Sequence, residues 1–158
     1  LDMKNDKEIF INKVVELAQK NVLAGKGGPF AAIIVKDDKI ISYGYNQVTS
    51  KKDPTSHAEI DAIRKAAKKL KTFDLSGCEI YSSCYPCPMC FSAICWANIK
   101  KVYYSAAKEI AAKYGFKDGK IYNELKNKIK SVKFTEMKIK DFDLPFKEWK
   151  NKKDKIKY

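Results

Sequence analysis

Residues 79–104 read Glu79-Ile80-Tyr81-Ser82-Ser83-Cys84-Tyr85-Pro86-Cys87-Pro88-Met89-Cys90-Phe91-Ser92-Ala93-Ile94-Cys95-Trp96-Ala97-Asn98-Ile99-Lys100-Lys101-Val102-Tyr103-Tyr104. Glu79–Ser82 has the character of a strand. Pro86–Met89 opens a helix, because proline suits a first helical turn. Phe91, Ala93, Ile94 and Ala97 give that helix an apolar face. Lys101–Tyr104 reads as a further strand. Strand, helix and strand in this short span specify a βαβ crossover, and with it a layered α/β protein.

The flanking sequence extends the pattern. Upstream, Ser56–Leu70 reads as a helix with Ile60, Ala62, Ile63 and Ala67 inward. Before it, Phe30–Val35 and Ile40–Tyr45 form a hairpin turned by Asp37-Asp38, followed by a polar loop from Asn46 to Thr55. Gly25, Gly27, Gly28 and Pro29 separate the hairpin from a first helix, Lys7–Leu23, capped by Asp6 with Ile9, Phe10, Val14, Leu17 and Ala18 inward. Downstream, a weaker helix covers Ala106–Tyr114. Val132–Ile139 reads as a last strand, and Phe146–Lys157 as a terminal helix after Pro145. The expected fold is a three-layer α/β/α arrangement with a mixed five-stranded sheet. The 158 residues are expected to form a single domain.

Composition excludes several classes. At 45% apolar residues the chain is too hydrophobic for disorder. No apolar run approaches the ~20 residues of a membrane helix. Leu1–Lys7 mix charges and lack an apolar signal core, so a cytoplasmic protein is expected. The net charge of +13 first suggests a nucleic-acid partner. Yet 31 of the 32 basic residues are lysines, and Arg64 is the single arginine. Arginine is the preferred bidentate reader of phosphate and guanine, so nucleic acid is not the expected partner. Residues 120–158 hold 13 lysines against six acids, which places over half of the excess in the C-terminal segment.

Five cysteines and one histidine carry more information. Cys84, Cys87 and Cys90 have poor spacing for disulfides and good spacing for a metal. His57-Ala58-Glu59 lies at the start of one expected helix, and Cys87-x-x-Cys90 at the start of another. Thiolates at i and i+3 share a helical face, and the helix N-terminus favours the thiolate form of Cys87. His57 makes a third ligand. A Cys2His set leaves the fourth tetrahedral position open, as in catalytic zinc sites, and water there is acidified to a pKa of about 7. Glu59 is positioned to shuttle the proton. Plainer readings stand beside this one. Ser56-x-x-Glu59 is also a capping box, and Cys84 could close a structural Cys3His site, although its place at a strand end argues against ligation. Cys95 reads as core and Cys78 as a strand-start residue. An iron–sulfur cluster would lack a fourth nearby cysteine and would leave His57-x-Glu59 unexplained.

H-x-E followed by P-C-x-x-C is the signature of zinc nucleobase deaminases. Gly27-Gly28-Pro29-Phe30, Gly44-Tyr45-Asn46, Asp53-Pro54-Thr55, Pro86-Cys87-Pro88-Met89-Cys90, Trp96-Ala97, Gly115-Phe116-x-Asp118, Trp149 and Tyr158 follow in order. With them the chain resembles the small bacterial guanine deaminases of the cytidine deaminase superfamily over nearly its whole length. The resemblance implies a cytidine-deaminase-like fold with one zinc ion per subunit, held by His57, Cys87 and Cys90. It implies Glu59 as the proton shuttle and Asn46 as a hydrogen-bonding partner of the base. Phe30 and Trp96 would wall the pocket, Phe116 would lie against the ring, and Asp118 would meet a polar edge. Ala58 would join the substrate contacts. It also implies a homodimer in which residues 140–158 are exchanged, so that Tyr158 closes the partner's pocket.

The chain departs from the family pattern at several positions. Tyr85 stands where the family has Glu, and Lys117 where it has an acid. Ala31 and Ser92 replace glycines, and Cys95 replaces an aromatic. These leave the metal ligands untouched and bear on the substrate instead. Guanine is the leading substrate. The alternatives are a tRNA adenosine deaminase, a deaminase of a pterin or triazine, and a non-catalytic zinc or RNA-binding module, the last disfavoured by the presence of Glu59.

Overall fold

The computed structural model describes residues 3–127, 135–137, 143–154 and 156. Strands β1 (Ala31–Lys36), β2 (Lys39–Tyr45), β3 (Glu79–Cys84) and β4 (Lys101–Ala106) form one sheet in the order β2-β1-β3-β4. β1 pairs antiparallel with both β2 and β3, and β3 pairs parallel with β4. The sheet is therefore mixed, as expected. It has four strands among the described residues rather than five. Of the expected fifth strand, residues 132–134, 138 and 139 lie outside the described set, and residues 135–137 are not in a strand.

Both faces of the sheet are covered. On one side α1 (Met3–Leu23) packs Val14, Leu17 and Ala18 on Ala31, Ile33, Val35 and Tyr81. On the other, α3 (Ala58–Leu70) and α4 (Pro88–Trp96) pack Ala58, Ala62, Ala66 and Ile94 on Ala32, Ile34 and Ile80. The alternation of odd and even positions along β1 between two apolar faces is that of a central strand buried on both sides. These are the three layers the sequence implies.

Topology sets the location of the site. β2 and β3 each run antiparallel to β1, so they run in the same direction as one another. The chain leaves both at the same end of the sheet, and α3 and α4 begin there. Helix N-termini and strand C-termini thus converge on one edge, the usual place for a site in an open α/β sheet.

The close seating of α3 depends on small residues. A Cβ on Gly44 of β2 would lie 2.0 Å from the carbonyl oxygen of Ala58 and 2.5 Å from the backbone nitrogen of Ala62. Only glycine fits, because the obstruction is helix backbone, which cannot rotate away. Ser42 Oγ donates to the Ala62 carbonyl at 2.7 Å and adds a polar tie at the same crossing.

Several element boundaries differ from expectation. α1 begins at Met3, so Asp6 lies in its first turn instead of capping it, and Ile9 is exposed. Ser56–Leu70 begins at Ala58, with His57 rather than Ser56 in the N-cap position. The polar loop contains one helical turn, α2 (Val48–Lys51), closed by Lys52 in the left-handed region at φ 52°. Helix α5 (Lys108–Lys113) ends in a Schellman motif: Gly115 at φ 90° donates to Ala112 O, and Phe116 N donates to Ala111 O. Helix α6 (Asp118–Lys126) then follows, an element absent from the sequence expectation. The terminal helix α7 spans Leu144–Asn151, shorter than the expected Phe146–Lys157.

Substituting Gly44 by alanine is expected to lower stability by about 3 kcal/mol, the upper end for overpacking, read as a fall in the urea midpoint. A change within ~0.5 kcal/mol, the range of ordinary surface substitutions, would show that α3 does not rest on this contact.

Candidate active site

His57 and Cys87 occupy the N-cap positions of α3 and α4. Both have extended backbone, at φ −81°, ψ 155° and φ −67°, ψ 167°. Neither side chain bonds its own helix end, which leaves both free to point at the other. Cys90 sits one turn into α4 and is fully buried. His57 Nδ1 lies 3.5 Å from Cys87 Sγ and 3.6 Å from Cys90 Sγ.

These distances are diagnostic. A tetrahedral zinc with bonds of about 2.3 Å to sulfur and about 2.1 Å to nitrogen requires a nitrogen–sulfur separation of about 3.6 Å. The two nitrogen–sulfur separations therefore match edges of the tetrahedron that zinc would impose. His57, Cys87 and Cys90 are the one group of three such side chains among the described residues, with donors within 4.8 Å of one another. The Cys87 thiol is held below the usual range, first by its hydrogen bond with Cys90 and then by His57, while that same bond raises Cys90. Cys84 is outside this group. Burial raises its thiol to about 11, and it lines the cavity wall beside Cys87.

Glu59 follows the ligand in the first turn of α3 and is buried. Its Oε1 accepts a hydrogen bond of 3.0 Å from Ser82 Oγ on β3. The carboxylate thus turns inward to the sheet and does not cap its own helix, which removes the capping-box reading. Burial pushes its pKa above the usual carboxylate range. Ser82 carried no signal in the sequence, where it reads as one more strand residue.

A cavity of about 540 Å³ opens over these groups, with His57, Glu59, Cys84 and Cys87 at its base. Phe30, Asn46, Phe116 and Asp118 line it, as the resemblance implies. The Phe30 and Phe116 rings meet edge to face with centroids 4.8 Å apart. Asp118 is half-buried, and burial first, then the negative charge of Cys87, raise its carboxyl above the usual range. Tyr85 and Lys117, the two charge-changing departures, both belong to the wall.

Other expectations fare differently. Ala58 is fully buried against the sheet and is not among the lining residues. Trp96 lies at the far end of α4, 69% exposed, and is not a cavity wall; eight residues of helix separate it from Cys87. Tyr158 is outside the described residues. Cys95, expected in the core, is exposed because the buried side of α4 is taken by Cys90 and Ile94. Val48 and Thr49 of α2, with Ile121 of α6, complete the wall; neither helix was anticipated, so neither contribution was.

The profile of the cytidine and deoxycytidylate deaminase zinc-binding region matches residues 4–106. The chain belongs to this deaminase family. Guanine deaminase from Bacillus subtilis (strain 168) is 45% identical over 153 residues, covering 96% of this chain and 98% of the relative. A tRNA-specific adenosine deaminase from Aquifex aeolicus (strain VF5) is 43% identical over 100 residues, covering 63% of this chain and 66% of the relative. Among solved structures, the Bacillus subtilis guanine deaminase superposes with a TM-score of 0.91 over 96% of this chain and 98% of that one, at 45% identity. A guanine deaminase from Nitrosomonas europaea gives 0.66 over 70% and 64%, at 35% identity. The fold is thus that of the cytidine deaminase family, whose members are zinc-dependent aminohydrolases.

Replacing Cys87 or Cys90 by serine is expected to weaken zinc binding by more than the ~10–100-fold that an outer-shell change costs. Cys84→Ser is expected to retain one zinc per chain. Elemental analysis with a competing chelator distinguishes the sets, and zinc loss in Cys84→Ser would make it a ligand.

Proposed function

We propose that the protein hydrolyses guanine to xanthine and ammonia. The observation that carries this reading is a single cavity that joins the His57–Cys87–Cys90 donor set and the buried Glu59 to Asn46 and Asp118. The near full-length likeness to a guanine deaminase supports it; the tRNA deaminase likeness covers a smaller share of the chain.

In this reading His57, Cys87 and Cys90 hold one zinc ion. A bound zinc lowers the pKa of water from 15.7 to about 7 and so supplies a nucleophile at neutral pH. Glu59 takes the proton from the attacking water as its oxygen bonds to C2 of the purine. It passes that proton to the adjacent ring nitrogen, then carries the remaining proton of the new C2 hydroxyl to the amine, so that the C2–N bond breaks, ammonia leaves and the C2 carbonyl of xanthine forms. Ser82 holds the carboxylate toward the sheet while this happens. Phe30 and Phe116 confine the flat ring, Asn46 donates to an acceptor on its edge, and Asp118 accepts from a ring or amine N–H. Burial excludes water and strengthens each of these contacts.

The same reading makes the protein a cytoplasmic homodimer whose C-terminal segment, about 140–158, completes the partner's pocket through Tyr158. The expected solution mass is twice 18.0 kDa. Truncation after residue 139 is expected to raise KM for guanine. A monomer in sedimentation with unaltered KM on truncation would reject this part.

Ammonia release from a panel of guanine, adenine, cytosine, a pterin, a triazine and a tRNA anticodon stem-loop tests the substrate. Guanine is expected to be turned over fastest; turnover of the stem-loop with none of guanine would reverse the assignment. Glu59→Gln is expected to lower kcat by about 10²–10⁴, the range for general acid–base catalysis, with zinc still bound. A variant that keeps both zinc and turnover would remove Glu59 from the mechanism.

A further inference from the structure

Asn46 is almost fully buried, and its amide is oriented by backbone. Its Oδ1 accepts hydrogen bonds from Gly28 N at 3.0 Å and Val48 N at 3.3 Å. Two donors on the oxygen fix which end of the amide is which. The NH2 end is left to face the cavity that Asn46 lines. Asn46 therefore offers the ligand a donor, and does so only while Gly28 and Val48 keep their places.

A residue outside the cavity keeps them there. Asn21 lies in the last turns of α1 and is 5% exposed. Its Nδ2 donates to Gly28 O at 2.9 Å and to Asn46 O at 2.8 Å. One amide group thus spans the loop before β1 and the end of β2. Together with the Gly28 N to Asn46 Oδ1 bond, it closes a ring of hydrogen bonds through three residues. The ring is packed as well as bonded: a Cβ on Gly27 would lie 2.2 Å from Asn46 O and 2.8 Å from Asn46 Oδ1. Phe30, a cavity wall, is attached to the same junction, since its N donates to Gly28 O at 2.8 Å and its O accepts from Asn46 N at 3.1 Å.

We propose that Asn21 is a positioning residue for ligand recognition, acting through Asn46. α1 contributes no side chain to the cavity wall, yet this one buried amide transmits its docking on the sheet to the recognition donor. Removal of the Asn21 amide leaves Asn46 O buried without its donor, an arrangement that proteins avoid by shifting the backbone. Such a shift moves Asn46 and leaves the metal ligands alone, because His57, Cys87 and Cys90 hang on α3 and α4. The role of Asn46 toward a purine edge rests on the proposed function; the clamp itself does not.

The test has one arm without substrate and one with it. In Asn21→Ala, amide hydrogen exchange at Gly28 and Val48 is expected to rise about tenfold or more, with amides of β3 and α3 unchanged. Gly27→Ala strains the same junction from its other side and is expected to do the same, so the arm survives if Asn21→Ala folds poorly. Unchanged protection at both amides overturns the proposal. In the second arm, guanine KM is expected to rise about tenfold in Asn21→Ala, with kcat within about threefold and zinc retained. The same substitution made in an Asn46→Ala background is expected to change KM less than twofold. An equal loss in both backgrounds means that Asn21 acts as general scaffold and overturns the proposal. If wild-type protein neither binds nor deaminates guanine, the guanine reading falls while the exchange arm still decides the clamp.

Discussion

Everything at the site follows from two helices beginning side by side at one end of the sheet. β1 runs against both of its neighbours, so the chain emerges from β2 and β3 at the same edge. The N-cap positions of α3 and α4, His57 and Cys87, then meet. An N-cap residue has extended backbone and stands clear of its helix, so its side chain can serve another purpose. Here both side chains turn to a shared donor set that could hold a metal, and neither bonds its own helix end. The positive ends of two helix dipoles also converge on that point and favour thiolates over thiols. Gly44 permits this arrangement by allowing α3 to touch the sheet.

The same geometry explains why the carboxyl group of Glu59 is buried beside the sulfurs of Cys87 and Cys90. Glu59 occupies the first turn of α3, two residues beyond the ligand, and the helix turns it inward over β3. Isolated, a buried carboxylate would be costly. Ser82 supplies a hydrogen bond, and the raised pKa makes the proton easy to hold. A cation held by His57, Cys87 and Cys90 would offset the negative charge of the sulfurs and would also favour the ionised form of Glu59.

The βαβ unit at residues 79–104, the hairpin before it and the His57/Cys87/Cys90/Glu59 constellation were legible because each rests on local pattern: alternation, helical period and fixed spacing. What was not legible depends on where the chain travels. Trp96 reads as a pocket aromatic by order along the chain, but α4 carries it to the opposite end from Cys87. Cys95 reads as core by type, but α4 spends its buried face on Cys90 and Ile94. Helix α6 hides behind a Gly-bounded segment because Gly115 both ends α5 and lets the chain re-form a helix at Asp118. Asn21 is silent in sequence, since a lone asparagine in an amphipathic helix reads as surface. Its two acceptors lie 7 and 25 residues away, and only the fold brings them together.

The departures at Tyr85 and Lys117 bear on the substrate through their exposure. Both side chains line the cavity, but both are solvent-exposed and therefore sit toward its mouth. A charge in that position is screened by water and acts weakly on a ring held at the base. Asp118 is different, since it is half-buried and faces Cys87. With tyrosine at position 85, Asp118 and Glu59 are the two carboxylates of the lining. Glu59 accepts a hydrogen bond from Ser82, and under the proposed function Asp118 accepts hydrogen bonds from the ligand while Asn46 donates them. A planar ligand that satisfies both must carry an acceptor on one edge and an N–H on another. Guanine meets that requirement.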